Sequence, residues 1–552
     1  MRPPIIARHS LRCRTVPNQR KCTMSPIDKM TRRTALGAAT AMALASTPSS
    51  STPIRGRVAD RHTGDLDAVT PEQHGALGDG RSDDTVALQA ALDTGRSVRL
   101  TPERSYLLRS RLRLSTTGIT LSGGGEIKIA PDFEVAADRD GNGTHMRALF
   151  ITGADVTISG LRFDASRAPK GSAVENGLIW SRAPGTIVRD CRFVGNPKGT
   201  CIWGLGDAPY LSVADCHFID CSGAVFAKGR QTTISGNTII NAVDAAIAIN
   251  GQSCVGAVVA DNAISNEASL AIPAMIAVED GASCWTISGN TMIGVNGGGI
   301  ICTNTLDQTK VEAGTICANL IDGRIFNARL PASKDPAALL SISASYENWI
   351  VADNRILNCP TGNSNSRLVV LAASGGLFHD NIVDGSATSG LSAMIGIMAG
   401  NKGIDLRDNK TMGASGARHF LFGAGDYAGG VCSFSGGQFL DGAEGINAEM
   451  NFRKTSGLAL SIVNLSQCTV KSIVNAFSAL GDRTNFLNAG AWARPHRIGS
   501  FTEMHCTAVP SHAGALPFQT GDKLYHMDPE TAGAIGIVRT ATGWKRFGIL
   551  EK

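Results

Sequence analysis

Between about residues 150 and 410 the chain repeats one pattern of apolar and polar positions. A short alternating run meets a small or acidic residue, then Asn or Cys, as in Thr233-Ile234-Ser235-Gly236-Asn237-Thr238-Ile239-Ile240. Alternation with a period of two marks a strand that buries one face. The anchors Cys191, Cys216, Asn237, Asn262, Asn290, Asn319, Asn354, Asn381 and Asn409 are spaced by 25, 21, 25, 28, 29, 35, 27 and 28 residues. Such a period is one coil of a β-solenoid with loops of variable length. A second apolar run follows within each repeat, for example Ala246-Ile247-Ala248-Ile249-Asn250. The later coils are therefore expected to carry one strand that holds the repeated phrase and ends at the Asn or Cys, and another formed by the short run.

Ahead of the repeats, Gly75, Gly78 and Gly80 suit a turn, Ser82 or Asp83 can cap a helix start, and Leu88, Ala91 and Leu92 form an apolar stripe before Gly95. A short amphipathic helix here would cover the open end of the first coil. In that setting Asp79, Asp83 and Asp84 read as turn and capping residues rather than catalytic carboxylates. Short strands follow at Tyr106–Leu108, Ile119–Leu121 and Ile127–Ile129.

The stretch 74–93 resembles the N-terminal signature of the pectate-lyase-like superfamily, which spans polysaccharide lyases, epimerases, glycosidase relatives and phage tailspikes. His74 stands where that family usually has an aromatic residue. The resemblance implies a single-stranded, right-handed parallel β-helix in which asparagines stack in an inward turn. Physical chemistry agrees, because a buried amide satisfies its donors and acceptor on an identical neighbour one rung away. The expected architecture is all-β: residues 66–480 as the β-helix with its N-terminal capping helix, and residues 500–552 as a small C-terminal β module. The closing motifs Gly521-Asp522-Lys523-Leu524-Tyr525 and Gly543-Trp544-Lys545-Arg546-Phe547-Gly548 resemble modules that end phage-tail β-helices, which implies capping or assembly as a homotrimer.

Composition refines this picture. Only 5% of the 552 residues are aromatic against 43% apolar, so the core is aliphatic, as stacked strands require. Part of the net charge of +5 lies in the first 33 residues, and the remainder forms no basic patch suited to nucleic acid. Thr31-Arg32-Arg33-Thr34-Ala35-Leu36 resembles a twin-arginine export motif, with the apolar run Gly37–Ala45 and a cleavage pattern at Ala43-Leu44-Ala45. Residues 1–50 are assigned to that signal and a linker, and the destination is the periplasm or the medium. The apolar run is too short to span a bilayer. Cys191 and Cys216 occupy equivalent places in adjacent coils and read as stacked buried thiols.

Candidate chemistry comes from aligning the short runs. With Ile179, Ile202, Val225, Ile247, Ile276 and Ile300 inward, the first outward column is Trp180, Trp203, Phe226, Ala248, Ala277 and Ile301. Two positions on, the column is Arg182, Leu205, Lys228, Asn250, Glu279 and Thr303, with Asp280 beside Glu279. Tyr346 and Glu347 are placed after the corresponding strand two coils beyond Thr303. Coils rise about 4.8 Å, comparable to one sugar unit of an extended polymer, so Trp180, Trp203 and Phe226 are expected to present a sugar-binding platform. For β-elimination on an acidic polysaccharide, Lys228, Arg230 or Tyr346 would be the base and Asn250 or Arg182 the charge neutraliser. For hydrolysis, the carboxylates would come from Asp244, Glu279 and Asp280. Elimination is the slightly favoured reading, and a non-catalytic glycan-binding or tailspike-like scaffold is the alternative. The catalytic motifs of polygalacturonases and mannuronan epimerases are absent from the sequence, so no family roles carry over. Asp138-Arg139-Asp140-Gly141-Asn142-Gly143 resembles the start of a calcium loop, but its twelfth position is Leu149 rather than Glu. A polar turn is the expectation there, and no cofactor or metal is assigned.

Overall fold

A computed structural model describes residues 67–460 except for segments that include 138–143, 170–176, 268–272, 305–309, 324–337, 359–366, 399–402 and 423–430, and describes individual strands beyond 460. The export-like segment and the calcium-like run at 138–143 lie outside the described residues.

The chain winds through three long sheets of 14, 14 and 15 strands. In each coil it passes from the first sheet to the second to the third, as in Thr233–Ser235, Thr238–Ile240 and Ile247–Asn250. Each strand pairs in parallel with its equivalents one coil away, as Thr238↔Ala263 and Ile247↔Ile276 show. The architecture is a β-helix solenoid with one N-terminal helix, Thr85–Asp93.

The repeated phrase is not one strand, as the alternation alone suggested, but two strands hinged at a corner. The residue before each anchor takes a left-handed conformation: Asp190, Asp215, Gly236, Asp261, Gly289, Ala318, Asp353, Asp380 and Asp408 all have φ between 50° and 67°. That backbone favours Gly and short polar residues, which explains the small or acidic position of the repeat. The corner then turns the anchor inward. Asn237 Nδ2 donates to Asn262 Oδ1 at 2.9 Å, and the same bond links Asn262, Asn290, Asn319, Asn354, Asn381 and Asn409 in turn. Each amide oxygen also accepts the backbone N–H of the preceding asparagine, so these buried groups are paired throughout. At the upper end Cys216 donates its N–H to Asn237 Oδ1, and the Cys216 and Cys191 thiols bond nearby carbonyls.

Inside the solenoid, like side chains stack in columns. Phe163, Phe193 and Phe218 lie with ring centroids 4.8 Å apart and planes within 6°. The helix buries Leu88, Ala91 and Leu92 in the same core. Asp84 spends its carboxylate on the N–H groups of Leu77 and Gly78, Asp79 on those of Arg81 and Ser82, and Asp83 on that of Thr85. Near the C-terminus five short strands, His496–Ile498, Phe501–Cys506, Lys523–His526, Ala534–Thr540 and Gly543–Ile549, form a separate sheet whose last two are antiparallel. Among the described residues no helix is long and apolar enough to cross a membrane.

Candidate functional site

The third sheet carries the candidate residues. Its register sets Trp180 beside Trp203, Trp203 beside Phe226, Phe226 beside Ala248, Ala248 beside Ala277 and Ala277 beside Ile301. The column starts one coil earlier than alternation indicated, at Phe150, which pairs with Trp180. Two consecutive residues of these strands, such as Leu178 and Ile179 or Cys201 and Ile202, belong to the core. The strict alternation breaks there, which is why Gly177 faces the indoles: a Cβ on it would lie 2.5 Å from Trp180 Nε1 and 2.4 Å from Trp203 Cδ1.

The indoles of Trp180 and Trp203 stack, with centroids 5.1 Å apart and planes 16° from parallel, and Trp203 meets Phe226 at 4.2 Å. This column is not the open platform expected from sequence. Trp180 is 2% exposed and Trp203 6%, with His145 against the edge of Trp180 and the Arg147 guanidinium 3.9 Å from its ring centroid. Phe226 is partly exposed, and the Lys228 ammonium lies 5.3 Å from the centroid of its ring.

Beside Phe226 the polar column closes into one cluster. Asn250 pairs in register with Glu279, and Glu279 with Thr303. The buried Asn250 amide donates from Nδ2 to Glu279 Oε2 at 3.0 Å and to Asp280 Oδ2 at 3.3 Å. Asp280 adopts φ 51°, and its N–H bonds the Thr303 carbonyl. The left-handed turn brings its carboxylate to the same nitrogen as that of its neighbour. Lys228 and both carboxylates are partly exposed, and Arg182 is exposed two coils before Lys228. The unit is thus two carboxylates on one amide, with cations along the same column.

Three expected members do not belong to it. Tyr346 sits one coil beyond Thr303, not two, because Leu340–Ile342 pairs directly with Ile300–Thr303. The 35-residue spacing between anchors at that point adds no extra coil, because Leu320 pairs directly with Arg355. The Tyr346 ring is wholly buried edge-on to Trp285, its hydroxyl donates to the Thr303 carbonyl, and burial pushes its pKa up. A phenol so placed cannot take a proton from a sugar. Asp244 precedes its strand while Asn250 ends it, so it lies at the opposite end from Glu279, where it accepts the Ala245 N–H. Arg230 is exposed over the ring of Tyr210 rather than in the cluster. Among the described residues no group of three or more His, Cys, Asp and Glu side chains is arranged to hold a metal ion.

The family described as right handed beta helix region matches residues 109–264 and 147–316. The winding is therefore that of a right-handed parallel β-helix. No curated protein matches the chain by sequence. Among solved structures, an N-terminal fragment of gene product 12 of bacteriophage Phi29 superposes with a TM-score of 0.53 at 13% identity, over 76% of this chain and 73% of that one. A tailspike mutant of E. coli bacteriophage HK620, in complex with a pentasaccharide, gives 0.47 at 13% identity over 74% and 80% of the two chains. The catalytic unit of an alpha-1,3-glucanase from Streptomyces thermodiastaticus gives 0.42 at 16% identity over 68% and 69%. At such identities the likeness is one of fold.

Proposed function

We propose that the protein is an exported, carbohydrate-active β-helix that holds an acidic polysaccharide along the outer face of its third sheet and cleaves it at Glu279 and Asp280. The observation that carries this reading is the single Asn250 amide shared by the two carboxylates. Glycoside hydrolysis needs a carboxylic acid to protonate the leaving oxygen and a carboxylate to activate water or attack. Glu279 and Asp280 bring two carboxyl groups to one point of the sheet, the pair of groups such a reaction draws on. Lys228 and Arg182 supply the positive charge that an acidic polymer would meet, and the exposed part of Phe226 offers an apolar face to a sugar ring.

The same geometry moves the balance away from β-elimination. Asn250 Nδ2 is committed to the two carboxylates and so is a poor neutraliser for a substrate carboxylate. Tyr346 is no longer available as a base, which leaves Lys228 as the remaining candidate within the cluster. Burial of Trp180 and Trp203 favours the second reading, a glycan-binding or tailspike-like scaffold assembled as a trimer in the manner its C-terminal motifs resemble, because the largest aromatic surfaces are already covered.

The test is a screen of uronic-acid polymers that follows new reducing ends and, in parallel, ultraviolet absorbance of an unsaturated product. Hydrolysis predicts reducing ends without that absorbance, and losses of about 10²-fold or more in Glu279→Gln and Asp280→Asn. Absorbance that depends on Lys228 would transfer the reaction to elimination. Binding without cleavage of any polymer would leave the scaffold.

A further inference from the structure

The first coils of the third sheet carry a second polar feature on the same outer face, and the site at Glu279 does not use it. Arg113, on strand Leu112–Leu114, pairs in register with Phe150, and Phe150 with Trp180. The Arg111 guanidinium lies 5.5 Å from the centroid of the Phe150 ring, one coil on, and that of Arg147 lies 3.9 Å from the centroid of the Trp180 ring, again one coil on. Each cation is thus laid against an aromatic ring of the following coil. Arg113 is exposed beside them.

Three guanidinium groups gathered in this way repel one another. Burial first, then the charges of Arg147 and Arg113, lower the pKa of Arg111, and Glu134 is the carboxylate that opposes this, as the weakest contribution. Asp132 is already paired with Arg109. Among the described residues Arg111 and Arg113 take part in no ion pair, and Arg111 Nε is buried without a hydrogen-bond partner. The ring contact occupies the face of the Arg111 guanidinium and leaves its in-plane N–H groups to fork onto an oxyanion, the geometry in which arginine binds carboxylate or sulfate most strongly.

We infer that Arg111, Arg113 and Arg147 form an anion subsite that receives the carboxylate or sulfate ester of a sugar unit, three to four coils or roughly 14–19 Å along the axis from Lys228. The inference rests on the glycan reading above but not on the chemistry at Glu279. An extended chain lying on the outer face would meet this subsite, the covered indoles and then the carboxylate pair in order. The subsite would fix which unit of the polymer reaches the carboxylates.

The experiment is calorimetric titration of the full chain with an oligogalacturonate, a chondroitin sulfate oligosaccharide and a neutral maltooligosaccharide of matched length. The expected result is binding of at least one anionic oligosaccharide and not of the neutral one, weakened about tenfold or more by Arg111→Gln and by Arg113→Gln. The sugar that binds more tightly distinguishes carboxylate from sulfate. Arg113 is exposed, so Arg113→Gln decides the matter should loss of Arg111 impair folding. Undiminished affinity in Arg113→Gln, equal binding of the neutral sugar, or failure of both anionic sugars to bind would overturn the subsite. Arginine-dependent binding without cleavage would leave the subsite standing and remove hydrolysis. Cleavage by a wild-type protein whose affinity ignores these arginines would do the reverse.

Discussion

Trp180 and Trp203 stack 5.1 Å apart across neighbouring coils because the position facing both indoles is Gly177, where even a methyl group would collide with them. Neither ring has space to retreat, since both are buried. Gly177→Ala is therefore expected to lower stability by about 1–3 kcal/mol, the usual cost of overpacking a filled site. Urea denaturation measures the loss, and near-ultraviolet circular dichroism should show the indole pair displaced. An unchanged midpoint and spectrum would mean that the pair is loosely held.

The asparagine row predicts a sharper penalty. Asn290 Nδ2 donates to the Val259 and Ser288 carbonyls and to Asn319 Oδ1, while its oxygen accepts from both the backbone and the side chain of Asn262. Asn290→Ala would strand groups on both neighbours in a dry interior. The expected cost is about 2–4 kcal/mol. Denaturant melts of Asn290→Ala beside a partly exposed control such as Thr291→Ala would measure it, and equal midpoints would contradict the role assigned to the row.

Ala318 is the one corner residue before an anchor that is neither Gly nor Asp, yet it holds φ 55°. A Cβ in that region is strained, and glycine relieves it at some cost in unfolded-chain freedom. Ala318→Gly should raise stability by a few tenths to about 1 kcal/mol, read as a higher thermal midpoint. A lower midpoint would show that the methyl group packs usefully.

His419 gives a pH signature. It is fully buried, bonded through Nδ1 to the Thr411 hydroxyl at 2.6 Å and through Nε2 to the Asp441 carbonyl, and burial lowers its pKa from 6.5 to about 4. The unfolded chain binds this proton at higher pH than the folded one. Stability from the neutral ring is thus complete above about pH 6.5 and declines as pH falls towards 4, by about 3 kcal/mol in all. Melts across that window should slope for the wild type and flatten for His419→Gln. Parallel slopes would remove His419 as the cause.

Thiol accessibility tests the packing of the coils. Cys191, Cys201, Cys216 and Cys221 are free and buried, whereas Cys284 is exposed. Burial pushes the Cys201 thiol up, which further slows its reaction. A thiol reagent should label Cys284 promptly and the four buried groups only on unfolding, as peptide mass mapping would show. Rapid labelling of Cys216 in the native protein would contradict a closed core.

How much of this was legible in the sequence follows from what fixes each feature. The anchors set the register, so Trp180, Trp203 and Phe226, and likewise Asn250 and Glu279, could be aligned from text alone. The left-handed corner does leave a mark in the letters, because buried Ile234 and Ile239 lie five apart and so break a period of two, but the phrase was read as one strand. The covering of the indoles was not legible, since it depends on where the side chains of His145 and Arg147, from strands of the preceding coil, come to rest. Tyr346 was miscounted because loop length and coil number both enlarge the spacing between anchors. Asp280 reached Asn250 by a backbone turn that no side-chain pattern announces.

The row of amides has one more consequence. Each asparagine gives its hydrogen bond to the same side, so any coil can be joined to any other that bears the motif, and the axis sets no length of its own. The helix at Thr85–Asp93 is not interchangeable in that way, because it meets a coil on one flank alone. Evolution can lengthen or shorten such a rod by whole turns without redesigning its middle, and each added turn moves Lys228 and Glu279 relative to whatever lies at the tip.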